Sequence, residues 1–171
     1  MLPTTSHSAL YEDDILAWSE DQAEALRRLA AEMRPNSRDL DFDNIIEEIG
    51  EVGRAQLETV LSQIVNILTH WLMGAFDPDA PSVPHWQAEV QAFLTRLLLA
   101  YAPSMRQRIE MDWAWRRALR TAEPKLAAYG ARLPDGLPDA CPFSLDELLD
   151  PDFSWDQATT RLRASLTASP E

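Results

Sequence analysis

The stretch that decides the fold is 44-NIIEEIGEVGRAQLETVLSQIVNILTHWLMGAFD-77. Its apolar residues Ile45, Ile49, Val52, Leu57, Val60, Leu61, Ile64, Leu68, Trp71 and Leu72 return every three or four positions, the period of a helix with one buried stripe. Asp41 or Asp43 can cap its start. At about 1.5 Å per residue the segment reaches roughly 50 Å, so Gly50 and Gly53 are the natural places for a bend or a break into two shorter helices.

Upstream, Tyr11, Ile15, Trp18, Leu26, Leu29 and Met33 keep the same period, with Gln22 as the polar break, and predict one helix over Leu10 to Met33 that stops at Pro35-Asn36-Ser37. Downstream, three prolines make 77–84 a loop. Ser82 can cap a third helix with Trp86, Val90, Phe93, Leu94, Leu97, Leu98 and Tyr101 on its apolar face. Pro103 starts a fourth, with Met105, Ile109, Trp113 and Ala118 inward and Arg106, Arg116, Arg117 and Arg120 outward; Pro124 should interrupt it before a last turn over Leu126 to Ala131. Ser144-Leu-Asp-Glu147 is a capping box for a short helix that ends at Pro151. A weak helix through Arg163, fraying at its end, is the most expected beyond Trp155.

No strand-period run or internal repeat is present. The expectation is an all-α protein: an antiparallel up-down bundle of about four main helices with a short C-terminal capping helix, forming one domain over 10–155, with 1–9 and 156–171 as partly mobile extensions.

Composition bounds the function. The chain has 171 residues, 46% hydrophobic and 25% charged, which are globular values. Polar residues interrupt Val60 to Phe76, and the N-terminus shows no leader pattern, so neither a membrane span nor a signal is expected. Cys141 is the lone cysteine, which excludes an intrachain disulfide and points to a reducing cytoplasm. With 15 basic against 28 acidic residues the net charge is −13, a field that repels nucleic acid and anionic membranes. The charge is uneven: residues 1–58 hold 14 acids and 5 bases, and 96–132 hold 8 bases and 3 acids. Lys125 is the single lysine.

Five blocks in order carry a resemblance: Tyr11-Glu-Asp-Asp-Ile-Leu-Ala-Trp18, Leu40-Asp-Phe-Asp-Asn-Ile-Ile-Glu-Glu-Ile-Gly50, His70, Trp86, and Cys141-Pro-Phe-Ser-Leu-Asp-Glu-Leu-Leu-Asp150. Together they resemble the bacterial family catalogued as domain of unknown function twenty-nine, over about residues 10–153. The resemblance implies a small bacterial helical bundle and brings no activity with it. Where members often have Leu-Leu-Lys after the histidine, this chain has Trp71-Leu72-Met73.

Candidate chemistry is sparse. Glu47, Glu48 and Glu51 form an acidic cluster, but Glu48 lies 22 residues before His70, about 33 Å along a straight helix. No Glu sits three residues before His7, His70 or His85, which removes the di-iron pattern. A mixed metal site of His70, His85 and an acid such as Glu48 is one reading; the plainer one bonds His70 to a facing carboxylate. No nucleotide-binding glycine pattern occurs, no cofactor is implied, and nothing beside Cys141 activates its thiol. Trp115, two residues after the inward Trp113, should point away from the core beside Arg116, Arg117 and Arg120, as an interface anchor or against the chain's own Phe153 or Trp155. Three functions follow: a non-enzymatic module for a protein partner or self-association, a metal-dependent bundle enzyme, or polyanion binding through 96–132.

Overall fold

The computed structural model describes residues 7–33 and 40–166. All regular structure among them is helical: α1 (His7–Asp13), α2 (Ile15–Met33), α3 (Phe42–Phe76), α4 (Val83–Ala100), a 3-10 segment (Pro103–Arg108), α5 (Met111–Ala128), α6 (Leu145–Leu149) and α7 (Trp155–Ser165). The Pro35-Asn36-Ser37 stop and the Met33 side chain lie outside the described residues. The single domain expected over 10–155 is described here as two compact units, residues 1–59 with 100–109 and residues 60–99 with 110–171.

In the first unit the helix expected over Leu10 to Met33 is divided at Asp14. Its carboxylate accepts from the Ala17 N–H at 3.0 Å, capping α2, and from the Ser104 hydroxyl and N–H at 2.6 and 3.0 Å, which ties the 3-10 segment to the same point. Asp41 caps α3 through the Asn44 N–H at 3.3 Å. α3 is continuous through Gly50 and Gly53, so no break occurs there. Gly53 instead marks where α2 comes closest: a Cβ there would lie 2.1 Å from Ser19 Oγ and 3.0 Å from the Leu16 Cα. That approach selects the buried face of this part of α3. Phe42 and Gly53 are buried, whereas Ile45 and Val52, expected inward by period, are exposed.

In the second unit the core collects Val60, Ile64, Ile67, Leu68, Trp71 and Leu72 from α3, Trp86, Val90 and Leu97 from α4, and Ala114, Trp115, Ala118, Ala122 and Leu126 from α5. Pro124 does not interrupt α5; it sits exposed in the last turns of the helix, which runs on to Ala128. The helix ends at Gly130, whose φ of 80° lets the Ala131 N–H reach back to the Leu126 carbonyl at 3.0 Å, so no further turn runs to Ala131. The capping box at Ser144 and Glu147 forms as expected.

Residues 155–165, expected as a weak helix, form a docked one. α7 has its own capping box, Ser154 with Gln157, and buries Ala158, Thr159 and Leu162. The Trp155 indole lies over Gly74, where a Cβ would come within 2.0 Å of the ring, and Arg163 donates to the Gly74 and Ala75 carbonyls at 3.3 and 3.0 Å, satisfying the end of α3. Arg161 pairs with Glu147 at 2.7 Å and lies 5.4 and 5.3 Å from the Phe143 and Phe153 ring centres, beneath which Trp71 packs.

By length and hydropathy α3 matches a membrane span, yet 67% of its apolar window is buried within the protein, the pattern of a core helix.

Candidate functional site

The second unit contains a cleft of about 430 Å³ whose walls come from α3, α4 and the end of α5. The six-residue loop 77–82 reverses the chain, and His70 and Glu89 stand equally far from it, six residues before the end of α3 and six after the start of α4. His70 is 4% exposed. Its Nδ1 lies 2.7 Å from the Asn66 carbonyl, which can only accept, so Nδ1 carries a hydrogen. Its Nε2 lies 3.0 Å from Glu89 Oε2. Two acceptors therefore face one imidazole, which fixes the ring at both ends.

The same carboxylate oxygen lies 3.5 Å from Nε2 of His85, one helical turn before it and largely exposed. Trp86 and Phe93 line the cleft, with Phe93 packed 5.3 Å from the His70 ring and Tyr129 standing edge-on to Trp86 at 5.5 Å. Lys125, the single lysine of the chain, lines the α5 side. Glu89, the one acidic group lining the cleft among the described residues, is engaged by both histidines, and Lys125 shares the lining with no further acid.

His70 and His85 are thus brought to one carboxylate, and that carboxylate is Glu89. Glu48 is exposed on the first-unit part of α3, and because α3 runs unbroken to His70 the chain does not fold back to join them. Among the described residues no group of three or more His, Cys, Asp or Glu side chains is arranged to hold a metal ion. The sequence reading passed over Glu89, although His85-x-x-x-Glu89 places both on one helix face and was a legible signal. Tyr129 had no such signal.

The aromatic pair on α5 is reversed from expectation. Trp115 is fully buried and its Nε1–H donates to the Pro138 carbonyl at 2.7 Å, so it is no surface anchor. Trp113 is 45% exposed, alongside exposed Arg116, Arg117 and Arg120. The cause is phase: Ala114, Trp115, Ala118 and Ala122 form the buried face of α5, with Trp115 bonded to the Pro138 carbonyl, and a two-residue offset turns Trp113 outward. Burial pushes the Cys141 thiol up to about 11, and its N–H donates to Asp112 at 2.8 Å, the environment of an inert structural thiol.

An all-helical fold with an acid-bridged histidine pair in a cleft of its second unit defines the class. The chain belongs to the family described as Domain of unknown function DUF29, whose model matches residues 10–154. It is also similar to an alpha-helical protein of unknown function from Rhodospirillum rubrum, solved as a crystal structure, at 33% identity and a TM-score of 0.81 over 90% of this chain and 96% of that one. No curated protein matches the chain. Neither the family description nor the similar structure indicates a specific activity.

Proposed function

We propose that this protein is a non-enzymatic binding module whose small-molecule site is the cleft of His70, His85, Glu89 and Lys125, and that its ligand is a small organic anion with a planar ring. The observation that carries the reading is the pairing of His70 with Glu89, which engages the one acidic group lining the cleft and leaves Lys125 and His85 at its edge to meet an anion. Tyr129, exposed at the cleft and backed by the buried Trp86, offers aromatic surface for a planar body. Part of this reading is an antiparallel up-down order of the main helices, supported by the short loop between α3 and α4, and a cytoplasmic setting in a bacterium, supported by the lone cysteine.

Benzoate and inorganic phosphate, titrated by calorimetry and by amide spectra, test it. Benzoate binds, shifting signals around His85, Lys125 and Tyr129, and Lys125→Met weakens it at least tenfold. Absence of binding by both anions at low salt overturns the reading, and phosphate binding without benzoate removes the planar-ring requirement.

A further inference from the structure

Two helix faces, one basic and one acidic, stand exposed. On α5, Trp113, Arg116, Arg117 and Arg120 recur at three- and four-residue spacing, all exposed, and none of the three arginines has an ion-pair partner among the described residues. On the first turns of α3, Ile45, Glu48, Val52 and Ala55 recur at the same spacing, also exposed, with Glu47 and Glu51 beside them. The α3 stripe spans about 15 Å at the helical rise. Each stripe combines apolar surface with charge, predominantly basic on α5 and predominantly acidic on α3, where Arg54 pairs with Glu51 and leaves Glu47 and Glu48 in excess.

We propose that these faces dock between copies of the chain, the Trp113 and arginine stripe of one molecule on the Ile45 to Ala55 stripe of a second. Trp113 supplies a large apolar anchor for the gap between Ile45 and Val52, and Arg116, Arg117 and Arg120 meet Glu47, Glu48 and the carboxylate of Glu51, which already holds Arg54. Tryptophan and arginine dominate interface energetics because they bury much area while keeping a polar edge paired. Single exposed ion pairs contribute little, so the apolar stripe sets the strength and the charges set the register and the salt response. A second copy is the occupant because the chain itself carries the complementary acidic and aliphatic face. No cleft residue takes part, so the small-molecule reading stands or falls separately.

Sedimentation velocity over a range of protein concentration and salt is the test. The wild type shows a mass above the 19.3 kDa monomer that rises with concentration and falls with salt. The triple variant Arg116→Glu, Arg117→Glu, Arg120→Glu is monomeric, as is Glu47→Arg, Glu48→Arg, Glu51→Arg, and mixing the two restores association. Trp113→Ser, a single change at an exposed position, also weakens association at least tenfold while leaving the circular dichroism of the wild type. A wild type that stays monomeric at its highest soluble concentration overturns the proposal. So does a pair of variants that keeps the wild-type mass, or a mixture that remains monomeric. Monomeric protein that binds heparin through the three arginines overturns it in favour of a polyanion surface.

Discussion

Nε2 of His70 lies 3.0 Å from Oε2 of Glu89, while the other ring nitrogen is committed to the Asn66 carbonyl. A buried imidazole is thereby fixed at both ends. The partner therefore matters by its hydrogen-bonding character as well as by its charge. Glu89→Ala leaves Nε2 without its partner in a site 4% exposed and is expected to cost about 1–3 kcal/mol. Glu89→Gln can donate its amide N–H to an unprotonated Nε2 and should recover most of that loss. Urea denaturation of the two variants checks this; equal losses would mean that charge, and not the hydrogen bond, holds His70.

Two glycines only three residues apart on α3 respond in opposite directions to alanine. At Gly53 the new methyl meets Ser19 Oγ at 2.1 Å and the Leu16 backbone at 3.0 Å, so Gly53→Ala destabilises by about 1–2 kcal/mol even after the gain in helix propensity. Removing the hydroxyl in Ser19→Ala should relieve part of it. At Gly50 the methyl meets only the exposed Arg54 side chain, at 3.2 Å, which can swing aside. Gly50→Ala is expected to stabilise by about 0.5–1 kcal/mol. Melting temperatures of the three variants rank these effects.

Trp115 and Trp113 should differ as sharply. Trp115→Phe loses the bond to the Pro138 carbonyl and leaves space in a fully buried site, an expected loss of about 2–3 kcal/mol. Trp113→Ala, at a half-exposed position, should change monomer stability by no more than about 0.5 kcal/mol. Chemical denaturation at low protein concentration, where self-association is absent, gives both values.

Acid should loosen the docking of α6 and α7. Desolvation alone would raise the Glu147 carboxyl, but the Ser144 N–H, Arg161 and the Ser144 hydroxyl hold it below its ordinary value. Because the folded group gives up its proton more readily than the unfolded one, its stabilisation is complete above the unfolded carboxyl range of about 4.3 and disappears as pH falls through the lower folded value. Glu147→Gln removes that acid-sensitive share and is expected to cost about 1 kcal/mol at neutral pH. Stability measured from pH 7 to pH 3 should fall less steeply in the variant than in the wild type.

Much of the helical order was readable in local chemistry. Periodic apolar residues marked α3, α4 and α5, and the serine and glutamate at 144 and 147 marked α6, because capping and the 3.6-residue period act within a few residues of the chain. The same signal stood at Ser154 and Gln157 and identifies α7 once it is weighed, although the segment's polar composition suggests fraying. The candidate site was half legible: His70 and His85 stood out as residue types, and Glu89 lay on the same face as His85, while nothing local tied Lys125 or Tyr129 to them.

What the sequence by itself determined is the helical class, the helices α3, α4 and α6, and the family, since these rest on short-range pattern and ordered blocks. The division at Asp14 and the 3-10 segment at Pro103–Arg108, expected as the start of the fourth helix, came only with the structure. Tertiary structure decided which face of each helix is covered. Ile45, Val52 and Trp113 satisfy the period of a buried stripe as well as their neighbours do, yet they are exposed, because Gly53 admits α2 on one side of α3 and the Pro138 loop closes over Trp115. Periodicity specifies that a stripe exists; the phase of that stripe is set by whichever neighbour packs closest, and that neighbour comes from a distant part of the chain.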